Sequence, residues 1–296
     1  MTLLLALTFC GRTDSDRDTR PYVVATTGMV RDAAEQIGGD LFRIDGIMGP
    51  GVDPHLYRAT PADIRRMEQA DLLLYNGLLL EGRLADILDR IGSRSFAVAS
   101  AVPESLLISA YEGSYGGTYD PHIWFDVSLW KYAVDGIAGQ LIELAPEHED
   151  AIRVRNSAYH QELDELHRYV TEQIGLIPEE RRVLITAHDA FGYFGRAYGM
   201  QVEGLQGIST ASEYGLRDVK LMRDLIIGRR IPAIFIETSL SSKSIESLIA
   251  GTRESGWEVS IGGQLYSDAL GEQGTDTGTY TGMFRHNTDQ ITQALR

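Results

Sequence analysis

The sequence predicts an α/β fold with two similar lobes, each a parallel β-sheet flanked by helices, joined by one long helix. Short runs rich in β-branched residues alternate with longer segments of helical periodicity, first over 22–144 and again from 178 to the C-terminus. Between them, residues 147–174 are densely charged and contain neither glycine nor proline. With 296 residues and 43% hydrophobic content, the chain is long enough to bury two such cores.

The first lobe follows the order of repeated strand–helix units. Its predicted strands are Tyr22–Thr27, Leu41–Ile47 and Asp71–Tyr75, and its predicted helices are Met29–Ile37, Leu84–Ile91 and Val127–Leu144. A further helix is expected to begin at Thr60, because Thr60 can cap it, Pro61 fits the first helical position and Asp63 can complete the cap.

The charged segment 147–174 predicts a single helix on the order of 40 Å long. Apolar residues recur in it at spacings of three and four, which indicates one buried stripe and a solvated remainder. The stripe consists of Tyr159, Leu163, Leu166, Val170 and Ile174. We interpret the segment as the connection between the lobes, with a long surface helix inside one domain as the alternative.

The second lobe repeats the strand–helix alternation. Its predicted strands are Val183–Ala187, Gln201–Leu205, Ala233–Glu237 and Val259–Ile261, and its predicted helices are Ala190–Tyr198, Leu216–Ile227, Ser241–Ser255 and a last one from about Tyr280. The chain therefore divides into an N-terminal tether (1–21), a first lobe (22–146), a connecting helix (147–177) and a second lobe (178–296).

Charge and cysteine content restrict the partners and the location. The formal charge of -15 argues against nucleic acid as a partner, since that binding requires clustered Lys and Arg. The apolar run from Leu3 to Phe9, followed by Cys10, resembles the end of a bacterial lipoprotein signal peptide and predicts export. No Lys or Arg precedes the run and Phe9 replaces the usual small residue, so lipidation of Cys10 and a free periplasmic form both stay open.

One tripeptide, Asp-Pro-His, occurs twice and presents His55 and His122 in loops before helices. His188 follows a predicted strand, at the edge where open α/β sheets bind ligands, and Asp268 follows the last strand. Three imidazoles and one carboxylate, without a thiolate, suit zinc or manganese. The pattern therefore predicts a metal site, although periodicity cannot show that these four residues meet.

Five stretches of the chain resemble the zinc and manganese solute-binding proteins of ABC transporters, the cluster A-I family. They are 49–57 (GPGVDPHLY), 120–126 (DPHIWFD), 186–194 (TAHDAFGYF), 207–213 (GISTASE) and 266–271 (YSDALG). The resemblance implies two lobes joined by one rigid helix, with His55, His122, His188 and Asp268 holding a metal ion in the cleft between them. It also implies a monomer that captures the ion outside the cytoplasm and delivers it to an ABC permease with a cytoplasmic ATPase. The expected location is the periplasm or, with lipid on Cys10, the outer face of the cytoplasmic membrane.

Two features bear on which ion is carried. Family members dedicated to manganese often have Glu at the position of His188, so this histidine favours zinc or mixed use. Members dedicated to zinc often carry a His-rich loop before the second Asp-Pro-His, whereas the segment 111–119 has no histidine. We expect one Zn²⁺ or Mn²⁺ ion per chain, ahead of Fe²⁺.

Several acidic residues lie next to the predicted ligands in sequence. Asp53, Asp120 and Asp189 can orient imidazoles by accepting a hydrogen bond, or they can cap helices. Glu213 and Glu237 have the same two interpretations, as orienting groups or as members of ion pairs.

A zinc-dependent hydrolase and a surface adhesion protein with a structural metal are the competing functions. Catalytic zinc normally has three protein ligands and an open position for water, whereas four protein ligands would fill the tetrahedron. The sequence has no nucleophile elbow, no His-Glu-x-x-His and no phosphate loop, and we expect no enzymatic activity. It has no repeat array of the kind that adhesion proteins use.

Overall fold

A computed structural model describes residues 18–110, 119–212 and 214–296, and it confirms the predicted α/β fold with parallel sheets and a long helix. Cys10, Glu213 and residues 111–118 lie outside the described residues, so the expectations for them stay predictions. Among the described residues, no helix is both long enough and apolar enough to cross a membrane.

The first lobe contains one four-stranded parallel sheet with the order β2-β1-β3-β4. Its strands are β1 (Tyr22–Ala25), β2 (Arg43–Gly46), β3 (Leu72–Tyr75) and β4 (Ser95–Ala97). Its helices are α1 (Gly28–Gly38), α2 (Pro61–Gln69), α3 (Ala85–Ile91) and α4 (Val127–Leu144). Strand β4 was not predicted, because three half-buried residues are too few to show an alternating pattern.

The predicted start of α2 is confirmed. The Thr60 hydroxyl accepts the backbone N–H of Asp63 at 3.2 Å, and the Asp63 carboxylate accepts the backbone N–H of Thr60 at 2.8 Å. This reciprocal cap satisfies two N–H groups that would otherwise lack helical partners. It also ends the loop that carries His55.

The second lobe contains two pairs of parallel strands, with β5 lying beside β7. The strands are β5 (Val183–His188), β6 (Gln201–Gln206), β7 (Ala233–Glu237) and β8 (Ser260–Leu265). The helices are α6 (Gly192–Tyr198), α7 (Leu216–Arg229), α8 (Lys243–Glu254) and α9 (Tyr280–Leu295). Strand β8 extends past the predicted end at Ile261, through two glycines. A Cβ atom on Gly262 would lie 2.7 Å from the Cβ of Ala294, so glycine there allows α9 to pack closely on the strand.

The connecting helix α5 (Glu149–Gly175) has the predicted length and the predicted buried stripe. It packs against α1 and α4 of the first lobe and against α6 and α9 of the second. One hydrophobic cluster therefore runs through both lobes, and Trp124, Phe191 and Phe284 are among its buried members. Any large rotation of one lobe against the other would have to expose part of this shared core. The lobe boundaries drawn from the sequence stay predictions.

Candidate metal centre

The four predicted ligand residues come from four separate segments of the chain. His55 lies in the loop between β2 and α2, and His122 lies in the loop between β4 and α4. His188 is the last residue of β5, which ends one residue later than the sequence predicts, and Asp268 lies three residues beyond β8. The structure places all four side chains between the two lobes.

The side chains form one compact cluster. One donor atom from each of the four residues can be chosen so that all lie within 4.8 Å of one another. The Nε2 atoms of His55 and His122 are 3.3 Å apart, and the Asp268 carboxylate lies 3.4 Å from Nε2 of His122 and 3.2 Å from Nε2 of His188. All four residues are buried, and His55, at 5% exposure, is the most accessible of them.

Two of the three imidazoles are oriented by carboxylates. Nδ1 of His122 lies 2.7 Å from Oδ1 of Asp120, and that same oxygen accepts the backbone N–H of His122 at 2.9 Å. Nδ1 of His188 lies 2.6 Å from Oε2 of Glu237, while Oε1 accepts the backbone N–H of His188 at 2.9 Å. Because each Nδ1 donates to a carboxylate, each Nε2 is left to face the cluster.

The electrostatics of the cluster follow from burial and from these carboxylates. Burial and the neighbouring imidazoles lower the pKa of His55 to about 3. Burial alone would also lower the pKa of His122, but Asp120 and Asp268 outweigh it and raise the pKa to about 9. The pKa of His188 is raised in the same way by Glu237 and Asp268, and the facing histidines hold the pKa of Asp268 well below its usual range. These shifts favour ion pairs between Asp268 and the imidazoles of His122 and His188, and they favour the neutral form of His55.

The loop that carries Asp268 is fixed by three other elements. The indole N–H of Trp124 donates to the carbonyl of Ser267 at 3.0 Å, and the hydroxyls of Ser239 and Ser267 are 3.1 Å apart. The Asn287 side chain accepts the backbone N–H of Tyr266 at 2.9 Å and donates to its carbonyl at 2.7 Å. Within the described residues, the oxygens of Asp268 accept no hydrogen bond of good geometry. The hydrogen-bonded loop thus presents the Asp268 carboxylate to Nε2 of His122 and to Nε2 of His188.

Hydrogen bonds between the lobes surround the cluster. The Thr210 hydroxyl donates to Oδ2 of Asp53 at 2.6 Å, and the Tyr193 hydroxyl donates to the carbonyl of Asp120 at 2.9 Å. The Trp124 bond to the Asp268 loop is a third, and the sequence did not predict that these donors hydrogen-bond to the loops that carry the cluster. All three donors lie in stretches that carry the family resemblance, namely 120–126, 186–194 and 207–213.

The acidic residues next to the predicted ligands differ in the groups that they contact. Asp120 and Glu237 hold imidazole nitrogens, as described above. Asp53 accepts the backbone N–H of His55 at 2.9 Å with Oδ1, in addition to its bond with Thr210. Asp189 donates its backbone N–H to the carbonyl of Gln206 at 3.0 Å, and burial raises the pKa of its carboxyl to about 6. Glu213 is outside the described residues.

The donor set fits a divalent transition-metal ion. Three imidazole nitrogens and one carboxylate oxygen match zinc and also manganese, and the absence of thiolate from the set disfavours copper(I). The carboxylates that accept hydrogen bonds from Nδ1 of His122 and His188 make those imidazoles more basic and therefore better electron-pair donors to a metal ion. The arrangement can therefore bind one ion with all its protein donors already close together.

The comparison with known proteins gives the family. The family described as "ZnuA: Zinc-uptake complex component A periplasmic" matches residues 23–294, nearly the whole chain. The chain belongs to this family.

Individual members of the family cover almost the full length. The manganese-binding lipoprotein MntA of Bacillus subtilis is 51% identical over 296 residues, covering 98% of this chain and 95% of that protein. The zinc-binding protein TroA of Treponema pallidum is 46% identical over 287 residues, covering 96% and 92%. The solved structure of that periplasmic TroA superposes with a TM-score of 0.90 at 47% identity, covering 93% of this chain and 99% of the other.

Proposed function

We propose that this protein is the extracytoplasmic binding component of an ABC importer, which captures one Zn²⁺ or Mn²⁺ ion and delivers it to a membrane permease driven by a cytoplasmic ATPase. The observation that carries this proposal is the buried cluster of His55, His122, His188 and Asp268. Two of these residues come from each lobe, so a bound ion joins the lobes. The family membership supports the same function, since the family is described as a component of a zinc-uptake complex.

The names of the relatives point to two different metal ions as the cargo. MntA is named for manganese and TroA for zinc, and their identities to this chain differ by only a few percent. Sites of nitrogen and oxygen donors generally bind zinc more tightly than manganese or iron(II), so affinity alone does not reveal the transported ion. We propose zinc and manganese as the physiological cargo, ahead of iron(II).

A role in binding accounts for the site better than hydrolysis does. Catalytic zinc keeps a position open for water, whereas this cluster offers four protein donors that all lie within 4.8 Å and are buried. Any substrate would have to reach an ion that is held by four buried residues from both lobes. We therefore propose that the protein is not an enzyme, and no observation favours an adhesion role.

The location follows from the same relatives. MntA is named a lipoprotein, and the family description is periplasmic. We propose that the mature protein acts as a monomer outside the cytoplasmic membrane, either free or held by lipid on Cys10. Replacement of Cys10 with Ala, followed by fractionation of cells into membrane and soluble material, distinguishes the two forms.

Metal stoichiometry tests the central proposal. Purified protein is stripped with a chelator, reloaded separately with Zn²⁺ and Mn²⁺, and analysed for bound metal, with a one-to-one ratio expected. His188→Ala and Asp268→Ala should each lose tight binding, whereas His286→Ala should keep it, because His286 lies against the Gln264 carbonyl, outside the cluster. Retention of one tightly bound ion by His188→Ala would refute the assignment. In cells, deletion of the gene should abolish uptake of the metal at low external concentration.

A further inference from the structure

We propose that Thr210 is a positioning residue whose hydrogen bond to Asp53, here called the latch, holds the His55 loop closed. Opening of this hydrogen bond controls how fast the metal enters and leaves. This inference rests on the proposed function. It assigns a role to residues 207–212, which belong to a stretch that the sequence singles out and which are not among the four residues of the metal cluster.

The two copies of Asp-Pro-His use their aspartates differently. In the second copy, Oδ1 of Asp120 accepts both the backbone N–H and the Nδ1–H of His122, so the carboxylate serves its own histidine. In the first copy, Oδ1 of Asp53 accepts the backbone N–H of His55 at 2.9 Å, while Oδ2 accepts the hydroxyl of Thr210 at 2.6 Å. Asp53 thus bridges the backbone of a ligand residue to a side chain of the opposite lobe.

Thr210 is itself anchored in the second lobe. The side-chain amide of Gln206 donates to the carbonyls of Thr210 and Ser212. Gln206 is the last residue of β6 and lies in register with His188 on β5. A short chain of contacts therefore runs from His188 through Gln206 and Thr210 to Asp53 and His55. The latch fixes the position of His55 relative to a ligand on the other lobe.

The remaining ligands are held from the interior of the protein. Asp120 and Glu237 brace His122 and His188, and both histidines are fully buried. The loop of Asp268 is bonded to Trp124, Ser239 and Asn287. None of these three ligands can leave the cluster without the loss of a buried hydrogen bond or of core packing.

His55 lies on the side of the cluster nearest to solvent. It is the most exposed of the four ligands, and its neighbour Leu56 is 41% exposed. The loop that precedes it contains Gly51 at a φ of +69° and Gly49, where an added Cβ would meet nothing within 4 Å. We therefore expect this loop to move when the ion enters or leaves, since glycine allows backbone conformations that other residues rarely adopt.

The position of the latch predicts a specific kinetic effect. Neither Thr210 nor Asp53 belongs to the metal cluster, so we expect the latch in both the metal-loaded and the metal-free protein, and its loss should make the open state more populated in both. A hydrogen bond to a charged acceptor contributes enough that its removal should accelerate opening by about ten-fold or more. Entry and exit rates should then rise together, and the equilibrium affinity should change by less than about three-fold. Damage to the metal site itself would instead accelerate exit without accelerating entry.

The experiment measures zinc association and dissociation by stopped flow with a fluorescent chelator, on the full-length protein. Thr210→Val removes the hydroxyl at nearly constant size and should raise both rates about ten-fold. Thr210→Ser keeps the hydroxyl and should restore both rates to near the wild-type values. Thr288→Val is the matched control, because Thr288 is also buried but donates within α9 to the carbonyl of Phe284. Its rates should equal those of the wild type.

A second variant approaches the same bond from its other partner. Asp53→Asn keeps an oxygen for the backbone N–H of His55 and makes the contact with Thr210 uncharged, so it should accelerate both rates by a smaller factor. In the double variant with Thr210→Val the two effects should not add, because both act on one bond. Additive effects would contradict the latch, and so would Thr210→Val rates within two-fold of wild type or a rise in the exit rate alone. Failure of the wild-type protein to bind zinc would instead refute the proposed function.

Discussion

Replacement of Glu237 by Gln tests whether the carboxylate behind His188 sets the metal affinity. Both oxygens of Glu237 are in use: one accepts the backbone N–H of His188 at 2.9 Å and the other faces Nδ1 at 2.6 Å. Glutamine has nearly the same shape but offers one acceptor oxygen and one N–H₂ donor. It can satisfy only one of the two groups that Glu237 satisfies.

Either orientation of the glutamine amide weakens the site. If the N–H₂ group faces Nδ1, that nitrogen must accept, and the imidazole proton moves to Nε2, the atom that faces the cluster. If the N–H₂ group faces the backbone N–H of His188, a buried donor loses its partner, at a cost of about 1–3 kcal/mol. We therefore expect Glu237→Gln to lower zinc affinity by about ten- to a hundred-fold, or about 1.4–2.7 kcal/mol.

Asp120→Asn is the matched comparison. A single oxygen of Asp120 accepts both N–H groups of His122, so asparagine can keep both hydrogen bonds and loses only the charge. Its loss of affinity should be smaller than that of Glu237→Gln. The assay is competition with a chelator of known zinc affinity, with melting of both metal-free variants as a check on folding. An affinity of Glu237→Gln within about three-fold of wild type, or a larger loss in Asp120→Asn, would refute this reasoning.

Three further outcomes follow from the same geometry. Metal-loaded protein should melt at a higher temperature than the metal-free form, because a free metal concentration of a hundred times the Kd adds about 2.7 kcal/mol to the free energy of unfolding. In a thermal shift assay, Asp268→Ala should abolish this difference. Zinc binding near neutral pH should release about two protons, because the pKa of His122 is raised to about 9 and that of His188 is also raised, so both must lose a proton from Nε2. The affinity for zinc should therefore fall as the pH is lowered from about 8 to about 6. Proton release can be measured by calorimetry in buffers of different ionisation enthalpy, and its absence would contradict the ion pairs of the cluster. X-ray scattering profiles with and without metal should nearly coincide, because α5 and the shared core join the lobes, and a large contraction on loading would reveal a hinge.

Local patterns predicted most of the secondary structure. Helix α4 spans Val127–Leu144 as predicted, and the buried stripe of α5 consists of the residues that the helical periodicity selects, with Ile152 in addition. Strand β4 and the end of β8 were missed, because one has only three residues and the other continues through two glycines, which usually mark a turn. These glycines are explained by the close packing of α9, a contact between segments that local sequence does not report.

By itself, the sequence determined the type of metal chemistry, since donor atoms are properties of the side chains and three histidines with one aspartate are already visible along the chain. It also placed His55 and His122 in equivalent tripeptides. Only the tertiary structure decided that these residues meet His188 and Asp268, and that the two equivalent aspartates have different partners. The physical reason is that a hydrogen bond between residues as distant as Asp53 and Thr210 depends on how both lobes pack around α5, and neither residue carries that information in its own segment.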